Sequence, residues 1–203
     1  MRLNAKRYLP DFALTKSRQA GTLYAMIITY LGGECVKVQF GETVLVFNPP
    51  SKNSKLKTVR FGADIALGTL NHPDCNGFET VTHGGRVPFV IQGAGEYEVK
   101  DITVRGFATE SHYEGEKRIN TVYLITLEGM RLCFLGALSS KELPAEVREA
   151  FKEIDILFVP IGGDGVLVPA RAHTLAVSLE PRVIIPIHYE GLGEKDALKT
   201  FLK

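Results

Sequence analysis

The sequence predicts an α/β (α+β) fold in which two mixed sheets pack together with helices outside. Three observations lead there. From Met26 to about residue 107 the chain is a series of short β-branched and aromatic runs broken by glycine turns. Beyond residue 121, strand-like and helix-like segments alternate. A length of 203 residues, 45% of them hydrophobic, suffices for the core of one domain.

The elements follow in order. IITYL (27–31), CVKVQF (35–40) and TVLVF (43–47) read as strands joined by tight turns at Gly32-Gly33 and Gly41-Glu42. Pro49-Pro50 ends the third of them. SKNSKLKTVR (51–60) is polar and basic, a loop that is either a solvated face or a phosphate-binding patch. ADIALGTL (63–70) is continuously apolar and reads as a buried strand. Strands are predicted at 88–91, 96–99, 102–107, 121–127 and 130–135, the last two joined at Glu128-Gly129. KELPAEVREAFKEI (141–154) has helical spacing, with Ser139-Ser140 before it as a cap. A strand (155–160), a helix (168–179) with Pro169 in its first turn, a strand (182–187) and a last helix (194–202) complete the chain. No repeat at a solenoid period is evident.

Charge and cysteine content narrow the class. A net charge of +1 gives no general case for nucleic-acid or membrane binding. No apolar stretch reaches the length of a membrane span. Residues 1–25 carry Arg2, Lys6, Arg7, Lys16 and Arg18 against one acid, Asp11, and lack the unbroken apolar run of a signal peptide. They are expected as a poorly ordered basic extension ahead of a domain at 26–203. Cys35, Cys75 and Cys133 form no CxxC pair, and two of them lie in apolar strand runs. That is the pattern of reduced, buried thiols, so a cytoplasmic location is expected.

Chemistry concentrates in the histidines. His72, His112 and His188 each follow a predicted strand, where loops are held by a rigid sheet. His83 lies in a turn and His173 in a helix, and both are expected to be structural or solvated. In Asn71-His72-Pro73-Asp74-Cys75, the proline biases His72 to an extended backbone and can open a turn after it. Imidazole, carboxylate and thiolate all suit Zn²⁺. Neighbours in sequence point apart, so Asp74 and Cys75 rarely serve one metal together. Their structural roles would be a helix cap for Asp74 and a small buried apolar group for Cys75.

Five segments, in order, resemble the metallo-β-lactamase-fold hydrolases, in particular the small group similar to L-ascorbate-6-phosphate lactonase. IITYLGGEC resembles the first strand and G-H-S-C turn, and VFNP the I-D-P closing the third strand. FVIQGAGEYEV resembles the P-G-E-Y-E segment, RLCFLGAL the C-H-L-G-D-L strand end, and VIIPIHY the closing I-P-x-H-Y. The likeness runs from about Met26 to Tyr189 and implies a four-layer αββα sandwich.

The resemblance also implies a damaged metal centre. Against the family's H-x-H-x-D-H motif the chain offers Leu70, His72, Asp74 and Cys75. His112 falls near the next ligand and His188 on the last, while Phe134 replaces a histidine and Ala137 the metal-bridging aspartate. One site would keep only His72 and His112; the other would consist of Asp74, Cys75 and His188. At most one zinc is then expected, with Asp74 as the candidate for proton transfer, because nothing bridges a second cation. The reading is a hydrolase-like protein with an incomplete metal site, weakly active or non-catalytic. The alternatives are a mononuclear zinc hydrolase of a phosphoester or lactone, and a nucleic-acid or protein-binding module using the leader with Lys52, Lys55 and Lys57. Neither a membrane nor nucleic acid is the expected partner; a small ligand and homo-oligomers remain open.

Overall fold

Alternation along the strands sorts side chains to two faces, and two sheets close over the more apolar one. The structure is a computed structural model that describes residues 11–19, 22–189 and 192–203. The first sheet runs β1 (Asp11–Gln19), β2 (Thr22–Gly32), β3 (Cys35–Phe40), β4 (Thr43–Phe47), β5 (Ile65–Gly68) and β6 (Phe89–Gln92), adjacent in that order. Its first four strands are antiparallel, and β4, β5 and β6 are parallel. The second sheet has the order β12-β11-β10-β9-β8-β7. Here β7 (Gly95–Val99), β8 (Ile102–Ser111), β9 (Arg118–Leu127) and β10 (Met130–Phe134) are antiparallel. β11 (Ile156–Pro160) and β12 (Val183–Ile187) then add in parallel.

Between the sheets lies the main core. Val36, Val38, Leu45, Phe47, Ile65 and Leu67 from one side meet Val104, Tyr123, Ile125, Leu132, Phe134 and Phe158 from the other. Phe134 stacks on Phe47 at 4.3 Å between ring centroids and leans on Phe158 at 5.5 Å. The outer face of the second sheet is covered by α1 (Ala145–Ala150), α2 (Pro169–Ser178) and α3 (Ala197–Phe201). The outer face of the first sheet is covered differently: Val44, Val46 and Ala66 pack under Val59, Phe61 and Phe78. Among the described residues that layer holds one 3₁₀ turn, Phe78–Val81, and no α-helix.

The fold is the expected sandwich of two mixed sheets, with some boundaries moved. The helix expected at 141–154 is only α1, because Pro144 takes an extended backbone (φ −53°, ψ 151°) and biases the residue before it away from helix. The serine pair therefore does not cap it. β8 and β9 extend as a longer hairpin than expected, through Ser111↔Arg118. Part of the region expected as a disordered leader is strand: β1 pairs antiparallel with β2 from Asp11↔Thr29 to Gln19↔Thr22. Residues 1–10, 20 and 21 lie outside the described residues. No helix among the described residues is long and apolar enough to cross a membrane.

Candidate metal centre

Loops after β5, β8, β10, β11 and β12 converge on one rim of the sandwich. His72 is placed there by a turn that closes on itself. The amides of Cys75 and Asn76 donate to the His72 carbonyl at 2.8 and 3.1 Å, as a proline-opened turn allows. The turn docks onto the segment after β4, with Ser51 N–H on the Pro73 carbonyl at 2.8 Å and Gly77 N–H on the Pro49 carbonyl at 2.7 Å. A Cβ at Gly77 would lie 2.2 Å from the Ser51 nitrogen, so only glycine permits this approach.

Both ring nitrogens of His72 and both carboxylate oxygens of Asp74 already have protein partners. The Asp74 amide donates into His72 Nδ1 at 3.2 Å, so the ring proton sits on Nε2, which donates to Glu114 Oε2 at 3.0 Å. Asp74 accepts the Tyr113 hydroxyl on Oδ2 at 2.8 Å and the Ser54 hydroxyl on Oδ1. His72, Asp74 and Glu114 nonetheless offer three ligand atoms within 4.8 Å of one another.

His188 belongs to a second, more deeply buried network. Its backbone is left-handed (φ 56°), an unusual state for histidine, and is fixed by its amide donating to the Gly33 carbonyl at 2.7 Å. Gly162 passes so close that a Cβ there would lie 2.7 Å from the His188 ring. His188 Nδ1 meets Glu34 Oε1 at 3.1 Å, and both side chains are nearly inaccessible. Asn48 donates to the other Glu34 oxygen at 2.7 Å and to Thr69 Oγ1 at 2.8 Å, while its carbonyl accepts the Thr69 amide at 2.8 Å.

His112 is turned away from both networks. Its ring is half exposed and lies 3.2 Å from Ser139 Oγ and 3.4 Å from Glu110. Its neighbour Tyr113 takes the inward position, set edge-on to His72 at 5.0 Å and to His188 at 5.6 Å. The hairpin end after β8 is thus one residue out of step with the ligand position that the resemblance gave to His112.

Leu70, Cys75 and Ala137 occupy positions where the resemblance expects ligands. They pack with Tyr113 and Val166 in one buried apolar cluster, each at most 5% exposed. Asn120 fixes the Ala137 loop, accepting the Ala137 amide at 3.0 Å and donating to the Leu135 carbonyl at 3.0 Å. Burial, and then the nearby carboxylates of Glu34 and Asp74, push the Cys75 thiol well above its ordinary range. With no cation beside it, the thiol is held in its neutral form. Burial also raises the Tyr113 phenol, with Glu34, Cys75 and Asp74 adding to the effect.

With this arrangement the likeness to known proteins can be weighed. The profile of the beta-lactamase superfamily domain matches residues 27–188. The chain belongs to the metallo-β-lactamase superfamily. Within that superfamily it is 34% identical over 107 residues to the UPF0173 protein PF0020 of Pyrococcus furiosus. That match spans 52% of this chain and about half, 47%, of the relative. A Thermotoga maritima protein, provisionally classed as a Zn-dependent hydrolase of the superfamily, superposes with a TM-score of 0.69 at 29% identity. The likeness covers 87% of this chain and 84% of that one. Human tRNase Z, short form, shares the fold alone, with a TM-score of 0.55 at 12% identity over 77% of this chain and 85% of that one.

Among the five expected site residues, the structure thus brings His72, Asp74, Cys75 and His188 to one rim and leaves His112 outside. Sequence reasoning missed Glu34, Tyr113, Glu114 and Ser54. A signal existed for Glu34, an acid inside the apolar IITYLGGEC stretch, and for Tyr113, which lies one residue from the assigned position. Ser54 and Glu114 are ordinary loop residues by sequence and carry no such mark.

Proposed function

We propose that this superfamily member has an incomplete metal centre and does not carry out two-metal hydrolysis. The observation that carries this reading is the buried cluster of Leu70, Cys75, Tyr113, Ala137 and Val166. Apolar side chains fill the space where the family resemblance puts ligands. The donors that remain do not fit a pair of cations. His188 is committed to Glu34, Asp74 to two hydroxyls, and Cys75 is packed in the apolar cluster. A bridging carboxylate is missing at Ala137, so two cations would lack the group that holds them together.

A second reading is a single divalent cation, zinc by donor type, on His72, Asp74 and Glu114, whose ligand atoms are close enough for one ion. When bound there, such an ion supplies Lewis-acid polarisation of a water or an ester carbonyl. The residues themselves hold the site in place: Tyr113 and Ser54 orient Asp74, and the Asp74 amide orients His72.

Purifying the protein from zinc-supplemented medium without chelator and measuring bound metal separates these readings. Substoichiometric metal and no turnover of lactones or phosphoesters supports the first. One equivalent that is lost in Glu114→Gln supports the second. Two equivalents with hydrolysis overturns both. The three buried, unpaired cysteines support a cytoplasmic location under either reading.

A further inference from the structure

The outer face of the first sheet, over which the described residues form no α-helical layer, carries a cavity of about 490 Å³. It lies where the loop at 51–60 meets the 3₁₀ turn Phe78–Val81 and the residues after it. Lys52, Thr58, Arg60, Glu79, Thr82 and His83 line it. That volume is of the size that holds a small organic ligand.

The walls are held by backbone contacts. The Ala63 amide donates to the Val81 carbonyl at 2.9 Å, and the Arg86 amide to the His83 carbonyl at 3.2 Å. Gly62 lets the two segments approach, because a Cβ there would lie 2.5 Å from the His83 carbonyl oxygen. Glu79 is tied to the opposite segment by the Lys52 amide at 3.2 Å.

The cations around this cavity are gathered and, among the described residues, unpaired. The loop at 51–60 carries Lys52, Lys55, Lys57 and Arg60 and no acid. Several cations elsewhere are paired: Lys100 and Arg86 with Asp64, Lys117 with Glu110, Arg182 with Asp155. Among the described residues neither Lys52 nor Arg60 has an ion-pair partner within 4.0 Å, and neither side chain donates a hydrogen bond. An ammonium, a guanidinium, the Thr58 hydroxyl and the His83 ring therefore stand as unused donors around one concavity. Thr82 is not among them, since its hydroxyl donates to the Phe78 carbonyl at 3.1 Å. Tetrahedral oxyanions take several converging charged donors, with the guanidinium suited to two oxygens at once.

We propose that this cavity is a binding site for the phosphate group of a small organic phosphate. Lys52 and Arg60 hold the phosphate oxygens, and Thr58 and His83 complete the donors. Glu79, the acid on the wall, accepts a hydroxyl of the ligand and disfavours polyphosphates. A concave site of this size favours a small molecule over a nucleic acid, which would need a track of cations along an open surface. The proposal is independent of any metal.

Calorimetric titration with inorganic phosphate, AMP and a ten-nucleotide RNA tests it. AMP should bind saturably at one equivalent, and inorganic phosphate more weakly at the same site. Lys52→Ala with Arg60→Ala should weaken AMP by about tenfold or more, the scale of one lost charged contact. Lys141→Ala with Lys195→Ala removes the same charge elsewhere and should leave AMP binding within about twofold, as expected of remote, screened charges. Glu79→Gln should tighten inorganic phosphate. No saturable binding of phosphate or AMP overturns the proposal, as does equal weakening by the remote pair. RNA binding tighter than AMP and weakened as much by Lys55→Ala with Lys57→Ala would replace it with a nucleic-acid face.

Discussion

Only two residues separate Phe134 from Ala137, yet they belong to two different apolar regions. Phe134 sits between the sheets, among side chains that strand alternation forces inward. Ala137 sits at the strand-end rim in the cluster with Leu70, Cys75, Tyr113 and Val166, the five contributed by four different loops. No secondary structure dictates that these five be apolar. Loop residues beyond strand ends are where polar and ligating groups usually gather. The interior is apolar because the sandwich needs a core; the rim is apolar because individual side chains make it so.

Substitutions can break that comparison. Phe134→Ala should have the largest effect, about 3–5 kcal/mol of lost stability, because it opens a cavity between Phe47 and Phe158. Denaturant unfolding measures it, and a cost below about 1 kcal/mol would mean the core repacks freely. Glu34→Ala comes next, at about 3 kcal/mol, because it strands the buried His188 Nδ1 and takes one of the hydrogen bonds of Asn48. Its effect tests whether the rim, like the core, contributes to global stability. Tyr113→Phe should cost only about 1 kcal/mol, since it removes one hydrogen bond to Asp74 and keeps the ring in the cluster. A loss as large as that of Glu34→Ala would show that the hydroxyl, not the ring, holds the rim together.

The smallest effect lies on the first sheet, away from both regions. Burial pulls the Asp64 carboxyl up, but the Lys100 hydrogen bond, the Val44 amide and the charges of Lys100 and Arg86 together hold it below the usual carboxylate range. Its folded pKa is therefore below its unfolded one. Its contribution to stability is present above the unfolded value of about 3.9 and is lost as pH falls through the lower folded value. Wild type should exceed Asp64→Asn in stability at neutral pH, and that part of the difference should shrink at acid pH. A gap that widens on acidification would reverse the sign of the shift.

The sequence made the sandwich readable because strand alternation, glycine turns and prolines act locally. TVLVF and CVKVQF appear in the structure at the predicted bounds. α1 was overextended because Pro144 acts against a helical hydrophobic pattern that continues on both sides. The rim was legible only in part. His72, Asp74 and Cys75 lie within one short turn, so their proximity follows from sequence. The pairing of Glu34 with His188 joins residues 154 apart in the chain, and nothing local announces it. The inward turn of Tyr113 in place of His112 depends on where the β8–β9 hairpin ends, and a shift of one residue exchanges the two faces.

Metal stoichiometry after saturation with Zn²⁺ and desalting, in wild type and in His188→Ala, tests the central claim most directly. A filled and hydrogen-bonded rim predicts fewer than two metal atoms per chain and no change in that number on losing His188. Two atoms per chain, falling when His188 is removed, would contradict it, since His188 would then be a ligand and not the partner of Glu34.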